Sequence, residues 1–426
     1  LKRFRFSAPP FLKEMLRAFR NRNYRLFFAG QGISLIGTWM QQIAMGWYVY
    51  RLTNSSFLLG LVAFSANIPS FFLTPVAGVL ADRYNRHKML LITQSMAMLQ
   101  ASTLAFLVLK HNPTITHIIC LCLCLGTINA FDAPFRQAFV SDLIENRNDL
   151  GNAIALNSAM FNSARLIGPS IAGLLINYTG EGVCFLINAL SYIAVLTSLS
   201  LMKITPRAVS IKNESPLKNL KEGFSYAYNY RPIRMILSLV ALISVMGMAY
   251  SVLLPVFARD ILHGGPNTLG FLMGAVGTGA IVGAGFLASR KNPAGLSAVI
   301  PRSSSIFGIS LMLFSFSETY WLSLLLMFCA GFGMMTNMAS CNTLLQTISD
   351  EDKRGRVVSL YVMAFVGMAP FGSLASGWVS SRIGAQRTLL MCGIACFMGA
   401  LNFARGQAYF REATRPVFIK KGLIKE

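Results

Sequence analysis

The stretch "LFFAGQGISLIGTWMQQIAMGW", Leu26 to Trp47, decides the fold class. It contains no charged side chain and has the length of about 20 residues that an α-helix needs to cross roughly 30 Å of hydrocarbon. Apolar and polar residues do not alternate in it, as they would in the segments of about 10 residues that build an outer-membrane barrel. Lipid offers backbone N–H and C=O groups no partners, so the run must close its own hydrogen bonds as a helix. Comparable runs recur at 57–81, 88–109, 114–140, 152–177, 182–203, 233–257, 267–289, 295–316, 319–346, 357–381 and 384–405, which with 26–51 makes twelve. The chain is 54% hydrophobic and 13% charged, against about 25% charged for a soluble domain. The sequence therefore predicts an all-α membrane protein with 12 transmembrane helices.

The net charge of +22 raises nucleic-acid binding, but its placement argues against that. Assigned to alternate sides of the spans, Lys and Arg divide 32 against 5, with Arg165 left inside. This is the positive-inside bias, and it places both termini in the cytoplasm. The excess then serves topology and contact with anionic lipid, not nucleic acid. The eight cysteines lie in or beside apolar runs with no CxxC pair, so small apolar filler fits better than a metal or disulfide site. No nucleotide-binding, metalloprotease or hydrolase motif occurs. "GAVGTGAIVGAG" (274–285) sits in a span without a preceding strand, where its glycines serve helix packing. No cofactor, metal or catalytic constellation is expected, and the chain does not read as an enzyme.

The spans divide into two sixes. A basic cytoplasmic segment at 1–25 precedes one half at 26–203, a linker with an amphipathic helix occupies 204–232, a second half follows at 233–405, and a basic tail closes at 406–426. "GVLADRYNRHK" (78–88) matches "GFLASRKNPAG" (285–295) at an offset of 207, and "GPSIAG" (168–173) matches "GSLASG" (372–377) at 204. Near-constant offsets point to duplicated halves.

"GVLADRYNRHK" resembles the signature loop of the major facilitator superfamily, with Asn85 where that loop usually has Gly. "DAPFRQAFVSDLI", "NAIALNSAMFNSARLIGPSIAGLLI" and "LLPVFARDIL" resemble its enterobactin-exporter and macrolide-efflux branch over about Asn23 to Ala404. The resemblance implies two six-helix pseudo-repeats in a bacterial inner membrane, working as a monomer. It implies proton-driven antiport of an amphipathic small molecule, a siderophore or a drug. A lysophospholipid flippase on the same fold is the alternative, and a non-transporting sensor or assembly protein the rival from another class.

Three groups of residues are candidates for the work. Gly78, Asp82, Arg83, Arg86, Asp142 and Arg356 form the expected cytoplasmic latch, with Asp82 facing the start of span 11 and Arg86 reaching Asp142; a topology-setting charge cluster is the plainer reading. Asp132 is the sole carboxylate well inside a span and Arg165 the sole deep basic residue. Such charges cost about 2.5–3.5 kcal/mol at bilayer depth, so the two are expected to pair. That pair is either a permanent brace between spans 4 and 5 or a proton carrier. The resemblance also implies a central substrate cavity lined by spans 1, 4, 7 and 10 and flanked by 2, 5, 8 and 11; Trp39, Gln42, Asn67, Asn129, Asn162, Tyr250, Asn337 and Asn342 are the polar and aromatic residues expected there at middle depth, each also compatible with plain helix packing.

Overall fold

The computed structural model describes residues 17–110, 113–144, 149–204, 216–290 and 292–424; the segment 1–16, with Phe11 and Met15, and the linker residues 205–215 lie outside them. Among the described residues there is no strand. The first half comprises α1 (Arg22–Thr53), α2 (Ser56–Arg83), α3 (Arg86–Leu109), α4 (Ile115–Asp142), α5 (Leu150–Thr179) and α6 (Glu181–Ser200). After α7 (Pro216–Asn229) come α8 (Arg231–Ile261), α9 (Pro266–Ala288), α10 (Leu296–Ser315), α11 (Tyr320–Ile348), α12 (Arg354–Ile383), α13 (Ala385–Arg405) and α14 (Gln407–Lys420). Eleven of these are long and apolar enough to cross a membrane. The 32-residue α1 is long enough but less apolar, with Gln31, Gln41 and Gln42 inside its charge-free stretch.

Polar residues between the apolar runs start the helices. Asn21, Ser55 and Thr114 accept from backbone N–H groups of the first turns of α1, α2 and α4, and His117 returns the favour to Thr114 as a capping box. Asn85 caps α3 by accepting from the Lys88 N–H at 3.1 Å, which gives the departure from the usual loop glycine a structural role. Gly180 and Gly384, 204 residues apart, make the single-residue turns after α5 and α12 at φ +80° and +88°. That left-handed region strains any side chain.

The helices do not pack in sequence order. In the first half α1 lies against α5 and α6, α3 against α6, and α4 against α2 and α3; α4 and α5 barely touch. In the second half α11 packs on α9 and α10, and α10 on α13. The halves join along two seams, α2 with α12 and α5 with α9. We call the side holding Arg22 and α14 the terminus side, and the other the far side.

Wide π turns interrupt α8 at Ile243–Gly247 and α12 at Met363–Gly367, and another ends α8 at Phe257–Ile261. A π turn leaves carbonyls without helical partners. One of these, on Phe365, accepts from the Ser244 hydroxyl across the α8–α12 contact.

The linker and the C-terminal stretch both dock on the second half. From α7, the Tyr226 hydroxyl donates to Asp350 at 3.0 Å while Lys353 lies 4.7 Å over its ring. Burial pushes the Tyr226 phenol up to about 12, so it remains a donor at physiological pH. The stretch read as a tail is the helix α14, which buries Phe410, Thr414 and Phe418 on one stripe.

Candidate functional site

The repeated glycine motifs build both seams at the far side. A Cβ on Gly377, the last glycine of "GSLASG", would lie 2.8 Å from Gly60 Cα of α2. One on Gly173, the last glycine of "GPSIAG", would lie 2.8 Å from Pro266 O and 3.0 Å from Gly270 Cα of α9. Only glycine lets these backbones approach so closely. On the terminus side the repeats behave oppositely. A Cβ on Gly78, Gly285, Gly151 or Gly355 would meet nothing within 4 Å, and these are again two pairs at offsets of 207 and 204. The halves are closed against each other at the far side and parted at the terminus side, leaving a cleft open in one direction.

Polar contacts between α1 and α8 reinforce the far-side closure. The Tyr50 hydroxyl donates to the Asp260 carboxylate, Arg259 donates to Asn54 Oδ1 at 2.7 Å, and the Arg259 guanidinium lies 5.8 Å over the Tyr50 ring. Within the first half, Arg51 braces the buried Glu181 at 2.8 Å. None of these residues was legible as a site, because their spans are far apart in sequence. Asp260→Ala, which leaves no acceptor for the Tyr50 hydroxyl, is expected to loosen the closure. Hydrogen bonds to charged groups contribute about 1.5–3 kcal/mol, so the far-side-open population should rise roughly tenfold or more, read as spin-label distances across the α1–α8 tips. Unchanged distances would remove Asp260 from the closure.

Two ion pairs of the expected latch residues fall within the described residues. Arg86 at the start of α3 pairs with Asp142 at the end of α4 at 2.9 Å and donates to the Ala81 carbonyl, also at 2.9 Å. This pair lies within one half. Arg356 pairs with Glu222 of α7 at 2.7 Å. Arg83 is exposed, and the side chain of Asp82 is outside the described residues.

Asp132 and Arg165 do not pair. Asp132 is 4% exposed; its Oδ1 accepts from Thr93 Oγ1 at 2.8 Å and Gln94 Nε2 at 2.7 Å, both on α3. Its Oδ2 lies 3.7 Å from Arg136, one turn along α4. The expectation of an Asp132–Arg165 pair assumed that spans adjacent in sequence pack together, and α4 and α5 do not. Arg165 instead lies 5.7 Å over the Trp39 ring of α1, and Phe161 meets that ring edge-on at 5.7 Å.

The expected cavity residues divide. Gln42, Asn67 and Asn129 are exposed at middle depth, and Trp39, Asn162 and Asn342 are half-buried. Tyr250 and Asn337 are not cavity residues. Tyr250 is 1% exposed and packs edge-on against Phe307, while Asn337 is sealed in the second half, donating to Ser304 Oγ and the Ile300 carbonyl. Depth along a span was readable for both; the direction each side chain takes was not.

A family described as transmembrane secretion effector matches residues 14–414. The Staphyloferrin A transporter of Staphylococcus aureus is 29% identical over 374 residues, 87% of this chain and 93% of that protein. The enterobactin exporter EntS of Shigella boydii is 28% identical over 384 residues, 89% of each chain. The crystal structure of the nucleoside transporter NupG superposes with a TM-score of 0.69 at 14% identity, over 90% of this chain and 98% of that one; this likeness is one of fold. The two-lobed cleft and the family match agree: the chain belongs to the transmembrane secretion effector family of the major facilitator superfamily and is a multi-pass membrane transporter, not an enzyme.

Proposed function

We propose that this transporter exports an amphipathic small molecule, of siderophore or drug type, from the cytoplasm in exchange for protons. The observation that carries the reading is the one-sided cleft. Repeated glycines seal both seams at the far side while their counterparts on the terminus side stand open, as one end-state of alternating access requires. The excess of Lys and Arg on the terminus side assigns that side to the cytoplasm of a bacterial inner membrane, so the described state faces inward. Relatives that carry siderophores support the substrate class, and the neutral polar and aromatic groups in the cleft suit an amphipathic molecule. Asp132, the carboxylate inside a span, is the group we assign to proton coupling. The protein works as a monomer in this reading.

The test is a gene-deletion strain grown under iron limitation, with secreted and cell-retained iron chelators compared against a complemented strain. Retention inside the deletion cells is expected; unchanged secretion would remove siderophore export. One observation favours the flippase as a second reading. An almost wholly apolar slot of 320 Å³ lies between α2, α7, α8 and α12, lined by Phe71, Leu237, Leu360 and Met363 with Arg234 beside them. Altered lysophospholipid recycling in the same strain, with normal chelator secretion, would decide for it.

A further inference from the structure

We infer that Arg165 is the anion anchor of the cleft, and that the exported molecule carries a carboxylate or a similarly delocalised anion on an aromatic or apolar body. This rests on the export reading and names the substrate chemistry for it. The inference begins with where α5 points its side chains. Met160 meets Gly32 of α1 and Gly168 meets Trp39, while Leu166, Ser170 and Gly173 meet α9. Ile167, Ile171 and Leu174 are exposed on a third side, a wholly apolar stripe that suits contact with lipid. The 3.6-residue repeat puts Ser158, Phe161, Asn162 and Arg165 on the opposite side, between the α1 and α9 contacts, and so in the cleft.

Charges inside a membrane bundle generally find partners, and the described carboxylates of the first half do so. Asp132 has Arg136, Glu181 has Arg51, and Asp142 has Arg86. Among the described residues no carboxylate lies within ion-pair distance of Arg165; its contact is the Trp39 face. Arg302 is exposed on α10, a peripheral helix packed on α11 and α13, and does not reach the cleft. The guanidinium resting on an aromatic face keeps its N–H edge available for a bidentate carboxylate, which a flexible lysine would match less well. Trp39 and Phe161 supply apolar surface beside it.

The distribution of acids points the same way. Helices α1, α5, α9, α11 and α12 contain no Asp or Glu, α8 has only Asp260 at its far-side end, and α2 has only Asp82 at its terminus-side end. Asp132 on α4 is already engaged by three donors. A cationic drug would find no available counter-ion at middle depth, whereas an anion finds one oriented guanidinium.

The test uses the full chain in lipid nanodiscs and tryptophan-sensitised dansyl emission with three matched probes: dansylglycine, its neutral amide and the cationic dansylcadaverine. The carboxylate is expected to bind about tenfold or more tightly than the amide, in line with an added charge-assisted bidentate contact. Arg165→Gln should remove that preference while leaving amide affinity unchanged, and Arg165→Lys should keep part of it. Equal affinities in the wild type, tighter binding of the cation, or no carboxylate binding at millimolar concentration would each overturn the anchor. So would Arg165→Gln weakening all three probes alike, the mark of a packing role. Inside-out vesicles separate this failure from failure of the export reading. Energised uptake of the amide or cation with no dependence on Arg165 leaves export standing and removes the anchor. No energised uptake of any probe, with unchanged chelator secretion in the deletion strain, removes export itself.

Discussion

Asp132→Asn is expected to abolish transport driven by a pH gradient while substrate exchange without a gradient continues. The substitution preserves shape and leaves an oxygen to accept from Thr93 and Gln94, but removes the titratable group. Other carboxylates of the long helices lie at or near their ends, as Asp82, Asp142, Glu181 and Asp260 do, so no described acid at middle depth replaces it. A purely structural role predicts something different. Breaking a buried pair costs about 3–5 kcal/mol, so stability would fall, and exchange and driven transport would fall together. Asp132→Asn with Arg136→Gln separates the two, because it leaves no uncompensated charge on α4. Restored stability with coupling still absent is the outcome of a proton role; restored coupling would return Asp132 to a bracing role. Proteoliposomes with an imposed pH gradient, compared with counterflow without one, give both readouts.

The partner of Asp132 shows how far the sequence can be read. Its depth was legible, because rise per residue converts position in a span to distance from the membrane face. The helix it faces was not, since packing order is a property of the whole bundle and α4 turns towards α3. A local signal did exist: Arg136 follows Asp132 at i+4, a spacing that brings charges together on any helix. The repeats were more informative than they first looked. Gly173 and Gly377 close matched seams, Gly78 and Gly285 face open space, and Gly180 and Gly384 make matched turns. Near-identical offsets in the chain thus became symmetry-related positions in the fold. The helix α14 was also readable, because Phe410, Thr414 and Phe418 recur every four residues, but its basic composition suggested a tail. The contacts of Glu222 with Arg356 and Tyr50 with Asp260 join segments that no local pattern relates.

Replacing Gly173 and Gly377 together by leucine is expected to hold the far side open and stop export. Each new Cβ would fall within 2.8 Å of backbone on the facing helix, and backbone cannot swing aside as a side chain can. The seams would have to part. Overpacking costs about 1–3 kcal/mol per site, and the two seams lie on different helix pairs, so the costs should roughly add to about 2–6 kcal/mol against the described state. At about 1.4 kcal/mol per factor of ten, the far-side-open population rises some thirtyfold or more. Labelling of Thr53→Cys by an impermeant thiol reagent, in a chain whose eight native cysteines are replaced by serine, should accelerate accordingly. Gly151→Ala with Gly355→Ala is the control, since neither Cβ meets a neighbour within 4 Å in this state. If the leucine pair fails to assemble in the membrane, the alanine pair at 173 and 377 tests the same idea, because its Cβ atoms already meet those backbones. Normal labelling and export in that alanine pair would show that the seams tolerate separation and that closure rests on the Tyr50–Asp260 and Arg259–Asn54 contacts instead.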